Sequence, residues 1–260
     1  MAGAIRLWPL LTGTQRYEKV VSTRNRGHGQ YIQAPILAYL IETSSGRILY
    51  DAGCDYRKIA TPELREHYFN PMRPMLDPPL MTEEQRIPSY LRRLGLTPKD
   101  VDVVVLGHLH FDHAGGLCEV PGCDVHVHTA EVEAAATGLY KGVFPDEVAG
   151  KDSWRLQSGD YEIAPGVHAV CTPGHTAGHM SVVVELAKGR PVVICGDAAD
   201  LLENLTDQIA PGYCWQDNET LALESIRKLK SIEREEDAEL WPNHDFPFFN
   251  ALPRFPAWRE

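Results

Sequence analysis

The chain alternates short β-branched runs with polar, turn-forming stretches. Residues 36–51, ILAYLIETSSGRILYD, hold two apolar runs joined by Ser44, Ser45, Gly46 and Arg47, which predicts a β-hairpin. VDVVVLGH (101–108) is a compact β-branched run, the pattern of a strand buried on both faces. DVHVHT (124–129) predicts a strand and AEVEAAA (130–136) a short helix. GVHAVCTPGH, HMSVVVEL and PVVICGDAAD predict three more strands between 166 and 200, the last two separated by the turn AKGR. A helix fits 217–232, capped by Asp217 or Asn218, and AELWPNHD (238–245) reads as a strand running into a loop. Another helix fits TEEQRIPSYLRRLGL (82–96), with Thr82 as its cap despite Pro88.

Two segments break these periods. Residues 55–80, which include HYFNPMRPMLDPPL, predict a lid-like loop or a partly helical insertion, and 137–158 a second irregular insertion. No repeat, low-complexity tract or Gly/Ser linker divides the chain, so residues 1–260 read as one domain. Strands in two groups with helices between and outside them predict a layered α/β arrangement.

Composition narrows the function. A formal charge of −11 over 260 residues argues against a nucleic-acid backbone as partner. No run of 18 apolar residues exists, which excludes a spanning helix from the expectations. The N-terminal apolar stretch is short and broken by Pro9, so a cytoplasmic protein is expected. Cys54, Cys118, Cys123, Cys171, Cys195 and Cys214 form no CxxC and are expected to be reduced.

The chemistry concentrates in GHLHFDHAGG, residues 107–116. His108 and His110, two apart, point the same way from an extended backbone and can share one ion. Asp112 and His113 follow and can face a neighbouring position, with Gly115 and Gly116 expected to supply the backbone freedom for a sharp turn. Nitrogen and oxygen donors without thiolate suit zinc first, and also manganese, iron or cobalt.

H-x-H-x-D-H, followed by TPGHTAGH, CGDAAD and WPNHD in that order, resembles the metallo-β-lactamase superfamily. The resemblance implies a four-layer αββα sandwich with two divalent metal ions at one edge. His108, His110 and His175 would hold the first ion, Asp112, His113 and His244 the second, and Asp197 both. A hydroxide shared by the ions would be the nucleophile.

Within the superfamily, the N-acyl homoserine lactonase branch is the nearer match. It shares HLHFDHAGG, IAPGV…TPGHTAGH, DAA after the final strand, and SIRKLK before the last ligand. Flavodiiron proteins tend to have glutamate where His110 stands, processing nucleases favour basic surfaces, and secreted β-lactamases carry an export signal. Glyoxalase II has a helical extension, whereas 16 residues follow His244. The implied reaction is opening of a lactone ring, with another lactone, a thioester, or a phosphoester or organophosphate as alternatives. The expected partner is a small-molecule substrate, with a homodimer left open.

One position departs from the branch, where a tyrosine commonly stands three residues after the bridging aspartate. Here that position is Asp200. An ionised carboxylate cannot donate to an oxyanion, so either Asp200 is protonated, Tyr213 or Tyr68 replaces the phenol, or the substrate differs. Pairing with a donor group, simple solvation and helix capping are further readings of Asp200. Asp112, Asp197, Asp200 and Tyr213 are therefore the catalytic candidates beside the metal ligands.

His126 and His128 read as core residues, His28, His67 and His168 as surface or loop residues, and His179 as a support for the ligands. Cys195 reads as a buried strand residue. Tyr68, Phe69, Met72, Met75, Leu139, Tyr140 and Phe144 are candidates for an acyl-chain pocket, though core packing or a dimer contact would explain them equally.

Overall fold

The structure, a computed structural model, describes residues 3–138, 140–149 and 154–260. Leu139 lies outside the described residues, as does part of the 137–158 segment. Among the described residues, one six-stranded sheet runs in the order β1 (Arg6–Glu18), β2 (Tyr31–Thr43), β3 (Gly46–Tyr50), β4 (Val103–Val105), β5 (Asp124–His128) and β6 (Arg155–Gln157). A second sheet comprises β7 (Tyr161–Ala164), β8 (Val167–Cys171), β9 (Met180–Val184), β10 (Val192–Ile194) and β11 (Glu239–Trp241), ordered β11-β10-β9-β8-β7.

Strand alternation sets the layers. On β2, β3 and β4, the side chains of Tyr39, Ile41, Ile48, Tyr50 and Val105 meet Val182, Val184, Val192, Ile194 and Trp241 of the other sheet. Their neighbours Leu40, Leu49 and Val104 face the opposite way, against Ile87 and Leu91 of α3 (Ile87–Arg93). On the far side, Val183 and Val193 pack under Leu229. That leucine belongs to a long helix over Glu219–Glu236. Helix, sheet, sheet, helix is the αββα order expected from the sequence.

The remaining helices are α1 (Tyr56–Ala60), α2 (Pro62–Phe69), α4 (Phe111–Ala114), α5 (Thr129–Ala136), α6 (Pro145–Val148), α7 (Leu202–Thr206) and α9 (Phe246–Ala251), the long one being α8. The 55–80 segment is thus partly helical. No helix among the described residues is long and apolar enough to cross a membrane.

Several local expectations are corrected. β1 is the longest strand beside β2, yet Pro9 and mixed polarity hid it; as an edge strand it tolerates a residue without an N–H. The 137–158 segment contributes β6, a short polar edge strand. Thr82 caps only the 3₁₀ turn Glu83–Gln85, and α3 begins afresh so that Pro88 falls in its first turn, where no N–H is needed. Asn218 rather than Asp217 caps α8, its side chain accepting from Leu221 N at 3.1 Å. Gly115 and Gly116 have no positive φ. They are required for space, because a Cβ on Gly116 would lie 2.1 Å from Ala52 O. His126 and His128 are only half-buried. His126 Nδ1 pairs with the Tyr161 hydroxyl at 3.0 Å, and His128 Nδ1 accepts from Ala130 N at 3.1 Å, capping α5.

Candidate metal centre

The buried strand β4 ends at Val105, and the chain leaves the sheet extended through His108 and His110 before turning into α4. That one-turn helix carries Asp112 and His113 back toward the same sheet edge. The β8–β9 connection brings His175, the segment after β10 brings Asp197, and the segment after β11 brings His244. Since β10 and β11 are parallel, Asp197 and His244 leave the second sheet at the same end.

All seven residues expected to ligate metal come together. His108, His110, His175 and Asp197 form one group and Asp112, His113 and His244 another, with ligand atoms inside each group lying within 4.8 Å of one another. His108 Nε2 and His175 Nε2 approach His110 Nδ1 at 2.8 and 3.1 Å. Asp197 divides itself between the groups. Its Oδ2 lies 3.4 Å from His175 Nε2 and 3.8 Å from His108 Nε2, while its Oδ1 lies 3.3 Å from His113 Nε2 and 3.2 Å from His244 Nε2. Asp112 Oδ2 faces His113 Nε2 and His244 Nε2 at 3.6 and 3.8 Å.

The protonation preferences of these groups fit a cation. Burial and the neighbouring imidazoles drive His108 well below the usual histidine range. Burial likewise lowers His110 and His175 to about 3, against the opposing pull of Asp197. These rings are neutral and offer lone pairs to one point. Burial opposes charge on His113 and His244 too, but Asp197 and the other carboxylates outweigh it, raising His113 well above its normal range and His244 to about 10. His113 Nε2 is buried with no hydrogen-bond partner among the described residues. Two imidazoles that hold protons only because carboxylates crowd them are sites a divalent ion would take over.

The cluster opens on a cavity of about 680 Å³. Of the proposed acyl-pocket residues, Tyr68, Met72, Met75 and Phe144 line it. Phe69 lies behind the wall against Phe111 and Phe144, and Tyr140 is buried with its hydroxyl on Glu131. Tyr213 lines the cavity with its ring 6.1 Å from that of His110 and 5.9 Å from that of His175. The Tyr68 ring lies 4.0 Å from Lys58 Nζ. Asp200 is also in the wall but only 3% exposed, which removes the solvation reading. It caps no helix; Leu202 N donates instead to Asp245 Oδ2. Cys195 is buried, as expected.

The sequence profile described as the metallo-beta-lactamase superfamily matches residues 32–244. The chain belongs to that superfamily. A curated N-acyl homoserine lactonase of Bacillus sp is 34% identical over 233 residues, covering 88% of this chain and 89% of the relative. The N-acyl homoserine lactonase AttM of Agrobacterium fabrum is 29% identical over 275 residues, covering 97% and 99%. A solved N-acyl homoserine lactone hydrolase, with its product N-hexanoyl-L-homoserine at the catalytic metal center, superposes over the full length of both chains with TM-score 0.89 and 29% identity.

Three residues beside the seven candidate ligands hold them in place. Asp51, at the end of β3, accepts from His113 Nδ1 and from Gly107 N, both at 2.7 Å. His179, anticipated as a support, accepts the Asp197 N–H at Nε2 (2.9 Å) and so donates from Nδ1 to Thr172 Oγ1 (2.9 Å). Glu131, read from the sequence only as part of a short helix, is buried and accepts from Leu109 N at 3.2 Å and Gly178 N at 2.7 Å. One carboxylate thereby ties the loop of His108 and His110 to that of His175. Asp51 had one sequence signal, an acid directly after the apolar run of a strand.

Proposed function

We propose that this metallohydrolase opens the ring of an N-acyl homoserine lactone, releasing the hydroxy acid. The observation that carries the reading is the position of Asp197, whose two oxygens each face a separate set of nitrogen donors at the floor of a cavity walled by Met72, Met75, Tyr68 and Phe144. Full-length similarity to lactonases, one with product at its metal center, supports the substrate class.

In this reading His108, His110 and His175 would hold a first ion and Asp112, His113 and His244 a second, with an oxygen of Asp197 available to each. Three imidazoles and one carboxylate make the first set a zinc-type donor set. Two divalent ions bound here would supply Lewis acidity, acidifying water and polarising an ester carbonyl. The protein's own groups do the rest. The apolar wall holds the acyl chain, and the Tyr213 hydroxyl donates to the carbonyl oxygen as it gains charge. Asp112 and Asp197, both in the cavity wall, would carry a proton to the departing alkoxide.

The test compares turnover of acyl homoserine lactones of several chain lengths with that of a p-nitrophenyl phosphodiester and S-lactoylglutathione. The lactones are expected to exceed the others in kcat/KM by at least about 100-fold, the ~3 kcal/mol that a matched site supplies. Preference for the phosphodiester or the thioester would overturn the reading.

A further inference from the structure

We propose that Asp200 is an additional metal ligand. It would give the second ion a carboxylate-rich site that prefers a six-coordinate cation such as Mn²⁺ or Fe²⁺ to Zn²⁺. The proposal rests on the dinuclear reading above.

A carboxylate oxygen of Asp200, one of Asp197 and a ring nitrogen of His244 lie within 4.8 Å of one another. The backbone holds this arrangement, since His244 N donates to Asp200 O at 2.8 Å. The Ser22 hydroxyl, paired with the Tyr17 hydroxyl at 2.8 Å, lies against the Asp200 carboxylate. Oδ1 of Asp200 is left buried and without a hydrogen-bond partner among the described residues. No lysine or arginine among the described residues forms an ion pair with Asp200.

A buried carboxylate oxygen with nothing to accept from is costly, and a second carboxylate beside it adds like-charge repulsion. A cation between the two relieves both. Solvent cannot, because the side chain is 3% exposed.

The donor count then separates the two ions. The first set offers three imidazoles and one carboxylate. The second, with Asp200, offers two imidazoles and the carboxylates of Asp112, Asp197 and Asp200. Hard oxygen donors in larger number favour manganese or ferrous iron, whereas zinc is content with four donors rich in nitrogen.

The test uses the whole protein, stripped of metal and re-equilibrated with equimolar Mn²⁺ and Zn²⁺. Metal per chain is counted by mass spectrometry, and the weaker-site Kd is measured by chelator competition. Wild type is expected to hold two ions, one of them manganese. Asp200→Asn should keep the first ion at wild-type affinity, weaken the second by at least about 10-fold, and shift its occupant to zinc. Asp200→Glu should retain two ions. Metal-free Asp200→Asn should melt higher than metal-free wild type, because one of two crowded carboxylates is gone, yet gain less on adding metal. That opposite pair of signs excludes simple misfolding. Two ions bound by Asp200→Asn with wild-type Kd and metal preference would overturn the proposal, and a raised lactone KM in that case would make Asp200 a substrate contact. Fewer than two ions in wild type would instead overturn the dinuclear reading itself.

Discussion

His113 Nδ1 lies 2.7 Å from Asp51 Oδ2, and neither side chain reaches solvent. Because a carboxylate only accepts here, Nδ1 carries a proton, and Nε2 is the nitrogen turned toward Asp112 and Asp197, where an ion can displace its proton. Asp51→Ala would also strip Gly107 N of its partner. We expect a 10- to 100-fold weaker second metal site and a loss of roughly 2 kcal/mol in stability. Chelator competition and thermal unfolding check this; a variant with unaltered metal affinity would show that His113 needs no orienting group.

Metal uptake should be coupled to protons. In the metal-free protein, His244 is raised to about 10 by Asp197 against the effect of burial, and His113 shifts the same way. Both therefore carry protons at pH 7 that an ion must displace. Loading at pH 7–8 should release about one to two protons per chain, and affinity at the second site should increase with pH up to about 10. Calorimetry in buffers of different ionisation enthalpy measures the release directly. No net release would contradict the assignment of His244 as a ligand.

The buried neutral imidazoles respond to acid in the opposite sense. His110, His175 and His179 are lowered to about 3 by burial, whereas the unfolded chain takes up protons near pH 6.5. A depressed folded-state value means stability is intact above about pH 6.5 and drains as pH falls toward 3. At pH 5 each group would cost roughly 2 kcal/mol. The melting temperature of metal-free protein should therefore drop steeply between pH 6.5 and 5, and a flat profile would contradict neutral buried rings.

Glu131 touches no substrate, yet its removal should be felt at the first ion. Glu131→Ala leaves Leu109 N and Gly178 N without their acceptor. Roughly 3 kcal/mol of stability should go, together with most of the first-site affinity, since the loops carrying His108, His110 and His175 lose their tie. Glu131→Gln, keeping the shape and one acceptor, should fall between. Metal content of the two variants distinguishes this from general destabilisation.

Tyr213 and Tyr68 both line the cavity, but only Tyr213 lies close to the imidazoles of the first set. Tyr213→Phe should lower kcat on a lactone about 100-fold, the loss expected for one oxyanion donor, with little change in KM. Tyr68→Phe should leave kcat near wild type. Steady-state kinetics decide between them.

The seven clustered candidates could be read in advance because four sit within six residues and the others each follow a strand, so local spacing encodes them. The four-layer architecture was legible from β2, β3, β4, β9 and β10, whose β-branched runs leave little choice of element. β1 and β6 were not, since edge strands carry proline and polar residues that central strands exclude. Glu131 was missed for a different reason: a helix pattern gives no sign that one glutamate turns inward to bind backbone from two distant loops. Asp200 stood out only against the tyrosine of the lactonase branch, and its burial became apparent only in three dimensions.

The most direct test is to remove the metal and put it back. Exhaustively chelated protein, still folded by circular dichroism, should lose acyl homoserine lactone hydrolysis by at least about 1000-fold (~4 kcal/mol of barrier). Two equivalents of divalent ion per chain should then restore it. Full ring-opening activity in protein shown to contain no metal would contradict the account at its centre.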